Sequence, residues 1–292
     1  MGISDVIDSR KIFFITGKGG TGKSTYTVSL GKLSALRYRT LIVDFDNKRS
    51  TIREIVRCQN LSTEPQLIEN NLFFSHIEPE DALRFYLNDY LKSDFLINMA
   101  VNLKPLKSFY NALPSAKEML ITYFLLHLVK DYNFEKIFID MPASGHAELF
   151  MKIPQSARGI FKKGPVISIA NEMNRWIYRD DISAVIQIAL PEEVVISETI
   201  EFYRKFNAIE NINVILIIVN KVYNLYDTEP PHEQYFQNEN ILNLYNYYLM
   251  RFREQKTLID MLSQNTGTGI LTVPFFTDRN PSLKIFDYIR QQ

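Results

Sequence analysis

Gly17-Lys18-Gly19-Gly20-Thr21-Gly22-Lys23-Ser24 decides the fold. The octapeptide matches G-x-x-x-x-G-K-[ST], a loop whose glycines let successive backbone N–H groups turn inward and form a concave nest for anionic oxygens. Lys23 is placed to reach the β- and γ-phosphates of a nucleoside triphosphate, and the Ser24 hydroxyl to bind Mg²⁺. The pattern has meaning only between a strand and a helix. Lys11-Ile12-Phe13-Phe14-Ile15 ahead of it is an apolar run of strand type. Behind it, Leu30, Leu33 and Leu36 recur at helical spacing. That helix adds the positive end of its dipole to the nest. Gly17, Gly19, Gly20, Thr21, Gly22, Lys23, Ser24 and Thr25 are therefore the expected phosphate-binding residues.

Lys18 is an addition to the pattern. It stands too early in the loop to fold back easily onto the phosphates that its own loop holds, and is well placed to reach a facing copy of the chain. One octapeptide thus points to a ligand and to a homodimer.

Further apolar runs follow: Leu41–Val43, Leu72–Phe74, Ile137–Ile139, Val185–Leu190, Val214–Val219 and Ile270–Val273. Each is continuous rather than alternating, as in strands buried on both faces. Helical stretches separate most of them. The pattern predicts an α/β fold, a doubly wound, mostly parallel sheet of seven or eight strands, in one P-loop domain over 1–292. Ligands of such sheets sit at the carboxyl ends of the strands. The stretch 80–132 is too long for one crossover and carries apolar residues at helical spacing, and 146–180 also has a helical pattern. They are expected to form a helical subdomain at one end of the sheet. A further helix is expected over about 239–262.

The residues after the strand runs carry the chemistry. Asp44-Phe45-Asp46 puts two carboxylates on the same side of one strand end. Asp46 is the candidate to orient a water on the γ-phosphate, Asp44 to touch the metal through water. Asp140 closes another strand and is the second metal anchor expected downstream of a P-loop. It begins Asp140-Met141-Pro142-Ala143-Ser144-Gly145-His146, a stiff turn with one free joint, in which the Gly145 N–H is a candidate γ-phosphate sensor. His146 caps or packs. Asn220-Lys221-Val222-Tyr223 has a tyrosine where Asn-Lys-x-Asp, the guanine reader, has a carboxylate. ATP is the expected nucleotide, with Asn220 at the adenine edge and the turn after Pro274, Phe275–Asn280, over the base.

Bulk composition limits the alternatives. Apolar residues make up 46% and charged residues 23% of 292, ordinary for a protein with ample core. Thirty-three basic and 33 acidic side chains cancel, so no nucleic-acid partner is expected. The one cysteine, Cys58, cannot form an intrachain disulfide or a Cys-x-x-Cys zinc clasp. The polar N-terminus and the absence of a run of spanning length predict a cytoplasmic protein.

Together these residues resemble one family. Lys18 within Gly17–Thr25 is similar to the deviant phosphate loop of the ParA, MinD and nitrogenase-iron-protein class. Asp140-Met141-Pro142-Ala143-Ser144-Gly145-His146 resembles the Asp-Thr-Ala-Pro-Thr-Gly-His switch of the arsenite-pump and tail-anchored-protein targeting ATPases. Leu190-Pro191-Glu192-Glu193, Glu198-Thr199, Asn220 and Val273-Pro274 also look like that family. The resemblance implies a homodimer clamping two ATP–Mg²⁺, with Lys18 on the partner's nucleotide, Asp46 activating water and Asp140 acting through the metal. In the targeting branch the helical subdomains form an apolar groove for a transmembrane helix.

The chain departs from the family in three places. It has no zinc-clasp cysteines, it lacks the several thiols that arsenite pumping uses, and Asn47-Lys48-Arg49 stands where Pro-Ala-His is usual. Two functions remain in competition: an ATP-driven switch binding an apolar client, motivated by the Phe and Tyr surplus in 83–161, and a ParA/MinD-like regulatory or positioning ATPase. An arsenite-pump subunit ranks below both.

Overall fold

The computed structural model describes residues 2–45, 50–104, 116–160, 162–207, 212–223, 239–277 and 281–292. In chain order the elements are α1 (Ile3–Ser9), β1 (Ile12–Gly17), α2 (Lys23–Ala35), β2 (Thr40–Asp44), α3 (Thr51–Val56), β3 (Gln66–Glu69), β4 (Leu72–His76), α4 (Pro79–Leu91), α5 (Asp94–Asn102) and α6 (Ala116–Asp131). They continue with β5 (Lys136–Asp140), α7 (Ser144–Met151), α8 (Ile153–Ile160), α9 (Pro165–Trp176), β6 (Ser183–Ala189), α10 (Glu193–Asn207), β7 (Asn213–Val222), α11 (Glu239–Asn265), β8 (Gly269–Pro274) and α12 (Pro281–Arg290).

The strands form one sheet in the order β3-β4-β2-β5-β1-β6-β7-β8. All neighbours are parallel except β3 and β4. The seven apolar runs read from the sequence are β1, β2 and β4 to β8. The eighth strand, β3, is a short edge piece. Asn70-Asn71 turns it back onto β4, with Asn70 at φ +39°. Its side chains alternate between half-buried and exposed, so it carries no continuous apolar run.

Side chains of β1, β2 and β5 are buried along their whole length. Alternate residues feed two cores. Phe13, Ile15, Ile42 and Phe138 pack with Tyr26, Val28 and Leu30 of α2 and with Ile285 and Ile289 of α12. Ile12, Phe14, Leu41, Val43, Ile137 and Ile139 face the other way, toward α6, α9 and α10. Much of the aromatic and aliphatic surplus of 83–161 belongs to this second core: Leu120, Ile121, Phe124, Leu125 and Leu128 of α6 are all buried there. The stretch 80–132 contains α4, α5 and α6; the stretch 146–180 divides into α7, α8 and α9.

Candidate nucleotide-binding site

The loop between β1 and α2 runs along the carboxyl ends of the central strands. Gly17 has φ +149°, and a Cβ there would lie 2.1 Å from the Ile188 carbonyl oxygen of β6. No side chain fits between the loop and that strand. Gly22 caps α2 at φ +105°, a left-handed conformation that glycine adopts without strain. Within the loop, the Lys18 carbonyl accepts from the Thr21 hydroxyl at 2.9 Å and from Lys23 Nζ at 3.3 Å. Gly19 and Gly20 at the crest are exposed, with nothing within 4 Å of an added Cβ.

Behind the loop, β5 supplies Asp140. Ser24 donates to its Oδ2 at 2.6 Å, and Thr27 donates to its Oδ1 at 3.2 Å. Thr27 lies three residues after Ser24, so the two hydroxyls share one face of α2. Thr27 was missed by motif reading; its spacing from Ser24 was the available signal. Burial pushes the Asp140 carboxyl up to about 7. The neighbouring Asp44 carboxylate adds to the rise, while Ser24, Lys23 and Thr27 oppose it. Asp44 pairs in register with Asp140 across β2 and β5. A hydroxyl and two nearby carboxylates are hard oxygen donors, and they fit a hydrated Mg²⁺.

Asn220 ends the buried part of β7. Its Nδ2 donates to the Thr21 carbonyl at 2.9 Å; its Oδ1 accepts from the Tyr26 hydroxyl and from the Lys221 N–H, each at 2.9 Å. Lys221 sits at φ +60°, where the β7–β8 register shifts. This bulge turns the Asn220 amide back under the phosphate loop. Pro274 faces Val222 at the end of β8, and Phe275 N–H donates to the Val222 carbonyl at 2.9 Å. Phe275 and Tyr248 both meet the Tyr223 ring edge-on.

The other expected residues are distributed as follows. Lys18 Nζ is 2.8 Å from Glu198 Oε1 of α10, both side chains part-exposed. Thr25 is part-buried in the first turn of α2, and Gly145 is exposed in the first turn of α7. Asp46 and Asn47-Lys48-Arg49 lie outside the described residues, as do the side chain of His146 and residues 278–280 of the turn after Pro274.

A glycine nest at a helix start, a catalytic-type lysine and a serine–aspartate couple at the carboxyl ends of a parallel sheet define a P-loop nucleotide hydrolase. The family model described as anion-transporting ATPase matches residues 10–175, more than half of the chain. The chain belongs to that family and is an ATPase of the P-loop type. Relatives include an ATPase ASNA1 homolog of Dictyostelium discoideum, 24% identical over 75% of this chain and 75% of that protein. A putative arsenical pump-driving ATPase 1 of Aquifex aeolicus is 22% identical over 69% of this chain and 52% of that protein. An ATPase GET3 of Chaetomium globosum is 26% identical over 52% and 46%, respectively. The chain thus spans about three quarters of the first relative and about half of the other two.

Proposed function

We propose that the chain is a dimeric, ATP-driven switch whose closure around nucleotide changes the exposure of an apolar surface to a protein client. The observation that carries the nucleotide half is the 2.6 Å bond between Ser24 on the loop helix and the buried Asp140. It ties the phosphate seat directly to the strand that leads into the Asp140–His146 switch.

In this reading Lys23 leaves the Lys18 carbonyl for the phosphates, and the loop N–H groups hold the β-phosphate oxygens. Ser24 and Asp140, with Asp44 beside them, would hold Mg²⁺, which would supply positive charge beside the phosphates. Asp46 orients the attacking water, and Lys18 of each protomer turns to the other's nucleotide. Gly145 carries the change into α7. Asn220 keeps the loop seated on β7, a role its three hydrogen bonds support better than direct reading of adenine.

The client half rests on α4 and α5, which expose Tyr90, Phe95, Leu96 and Met99. An apolar surface of this kind gains roughly 25 cal/mol per Å² when covered. One cysteine in the whole chain speaks against the soft-ligand chemistry that arsenic requires. Among the described residues, no helix is long and apolar enough to cross a membrane.

The test uses Asp46→Asn protein and a synthetic helix of about 20 apolar residues. Peptide binding that differs between ATP and ADP, and that Phe95→Ser with Met99→Ser removes, supports the reading. Binding that ignores both the nucleotide and these two positions contradicts it.

A further inference from the structure

Three parallel strands bring one residue each to their carboxyl ends in a single row: His76 of β4 opposite Asp44 of β2, and Asp44 opposite Asp140 of β5. Two residues back in each strand, Phe74, Ile42 and Phe138 belong to the core on the α2 side. The period of a strand therefore turns His76, Asp44 and Asp140 to that same side. His76 is 2% exposed. Its backbone is fixed by its N–H donating to the Ser62 carbonyl at 2.8 Å, and the next N–H, of Ile77, donates to the Asp44 carbonyl at 2.9 Å.

The imidazole itself is unusual. Among the described residues neither ring nitrogen has a hydrogen-bond partner. Nδ1 stands 3.5 Å from Asp44 Oδ2, and Nε2 stands 3.9 Å from Glu78 Oε1. A buried ring nitrogen left unbonded is destabilising, because it has given up water and gained no partner. Apolar packing alone would be served better by leucine or phenylalanine. The ring lies just beyond hydrogen-bond distance of a carboxylate that borders Asp140.

We propose that His76 is a positioning residue for the Asp44 carboxylate. Its Nδ1–H closes onto Asp44 Oδ2 when the site fills, fixing which oxygen Asp44 turns toward Asp140 and the hydrated cation. This inference rests on the reading of Ser24, Asp44 and Asp140 as the Mg²⁺ seat. Groups that orient the residues around a metal are typically worth about 10- to 100-fold in metal affinity or activity.

The experiment compares His76→Asn, whose amide N–H can stand where Nδ1–H stands, with His76→Gln and His76→Ala, which place no donor there. Magnesium titrations of ATP hydrolysis are expected to show a half-saturating concentration raised about tenfold or more in the Gln and Ala proteins and largely restored in the Asn protein. ATP binding in EDTA is expected to be equal in all four. A second readout needs no turnover. Long-range ¹H–¹⁵N spectra of the wild-type imidazoles should show the proton of His76 on Nδ1, with its resonance shifting on addition of ATP and Mg²⁺. An unchanged magnesium requirement in the Gln and Ala proteins, or a proton on Nε2 alone, overturns the proposal. Failure of the metal seat itself would appear differently, as wild-type hydrolysis indifferent to EDTA.

Discussion

Lys18 and Glu198 form an ion pair of 2.8 Å within one chain, although they lie 180 residues apart. The pair joins the phosphate loop to α10 and occupies the ammonium group assigned above to a second protomer's nucleotide. Closure of a dimer would break it. Exposed pairs of this kind are worth about 0.2–1 kcal/mol, enough to act as a weak latch and too little to block closure. Each twofold dimer breaks two such pairs, so Glu198→Gln is expected to lower the protein concentration giving half-maximal turnover by up to about thirtyfold. Turnover measured across a protein dilution series checks this; no shift, or a shift upward, contradicts the latch.

Lys23→Ala is expected to abolish ATP binding in calorimetry while leaving the melting temperature of the apoprotein nearly unchanged. The Lys23 ammonium is not part of a core, and it donates to the Lys18 carbonyl of its own loop. Retained affinity would remove the loop from the account.

Asp140 combines burial with a carboxyl pushed up to about 7. Between the ordinary carboxylate value and about 7, the folded protein keeps a proton that the unfolded chain has released. Its contribution to stability is full below the unfolded value and is lost as pH rises through about 7. In EDTA, Asp140→Asn should therefore gain melting temperature over wild type as pH goes from 5 to 8, while losing magnesium-dependent hydrolysis. A variant less stable than wild type at pH 8 would show that burial of the charge is not the dominant effect.

Asn220→Ala separates two roles. Loss of the bonds to Thr21 and Tyr26 leaves buried polar groups unpaired, at about 1–3 kcal/mol. The expected result is a lower apoprotein melting temperature and weaker binding of ATP and GTP alike. A normal melting temperature with selective loss of ATP over GTP would instead make Asn220 a reader of adenine.

The sheet was legible because its central strands are buried on both faces and appear as continuous runs such as Ile12–Ile15 and Ile137–Ile139. The edge strand β3 was not, because its residues alternate between half-buried and exposed. Ser24 and Asp140 were legible as local motifs whose partnership follows from adjacency in a parallel sheet. The bond from Asn220 to Thr21 was not, since 199 residues separate them and only the bulge at Lys221 aims the amide at the loop. Glu198 could be singled out by resemblance, but its contact with Lys18 needed the packing of α10 beside the loop. His76 gave no signal at all. A histidine at the end of an apolar run reads as core, and its meaning comes from the carboxylate next to it in register.

If Lys18 reaches the nucleotide of a facing protomer, two proteins that are inactive alone should complement each other on mixing. Lys18→Ala lacks the cation proposed to cross, and Asp46→Asn lacks the carboxylate proposed to orient water. In a twofold dimer, random mixing at equal concentrations restores one complete site in each heterodimer, about a quarter of wild-type turnover. Recovery to about that level, with neither protein active alone, is the predicted result; mixtures no more active than their separate components would contradict it.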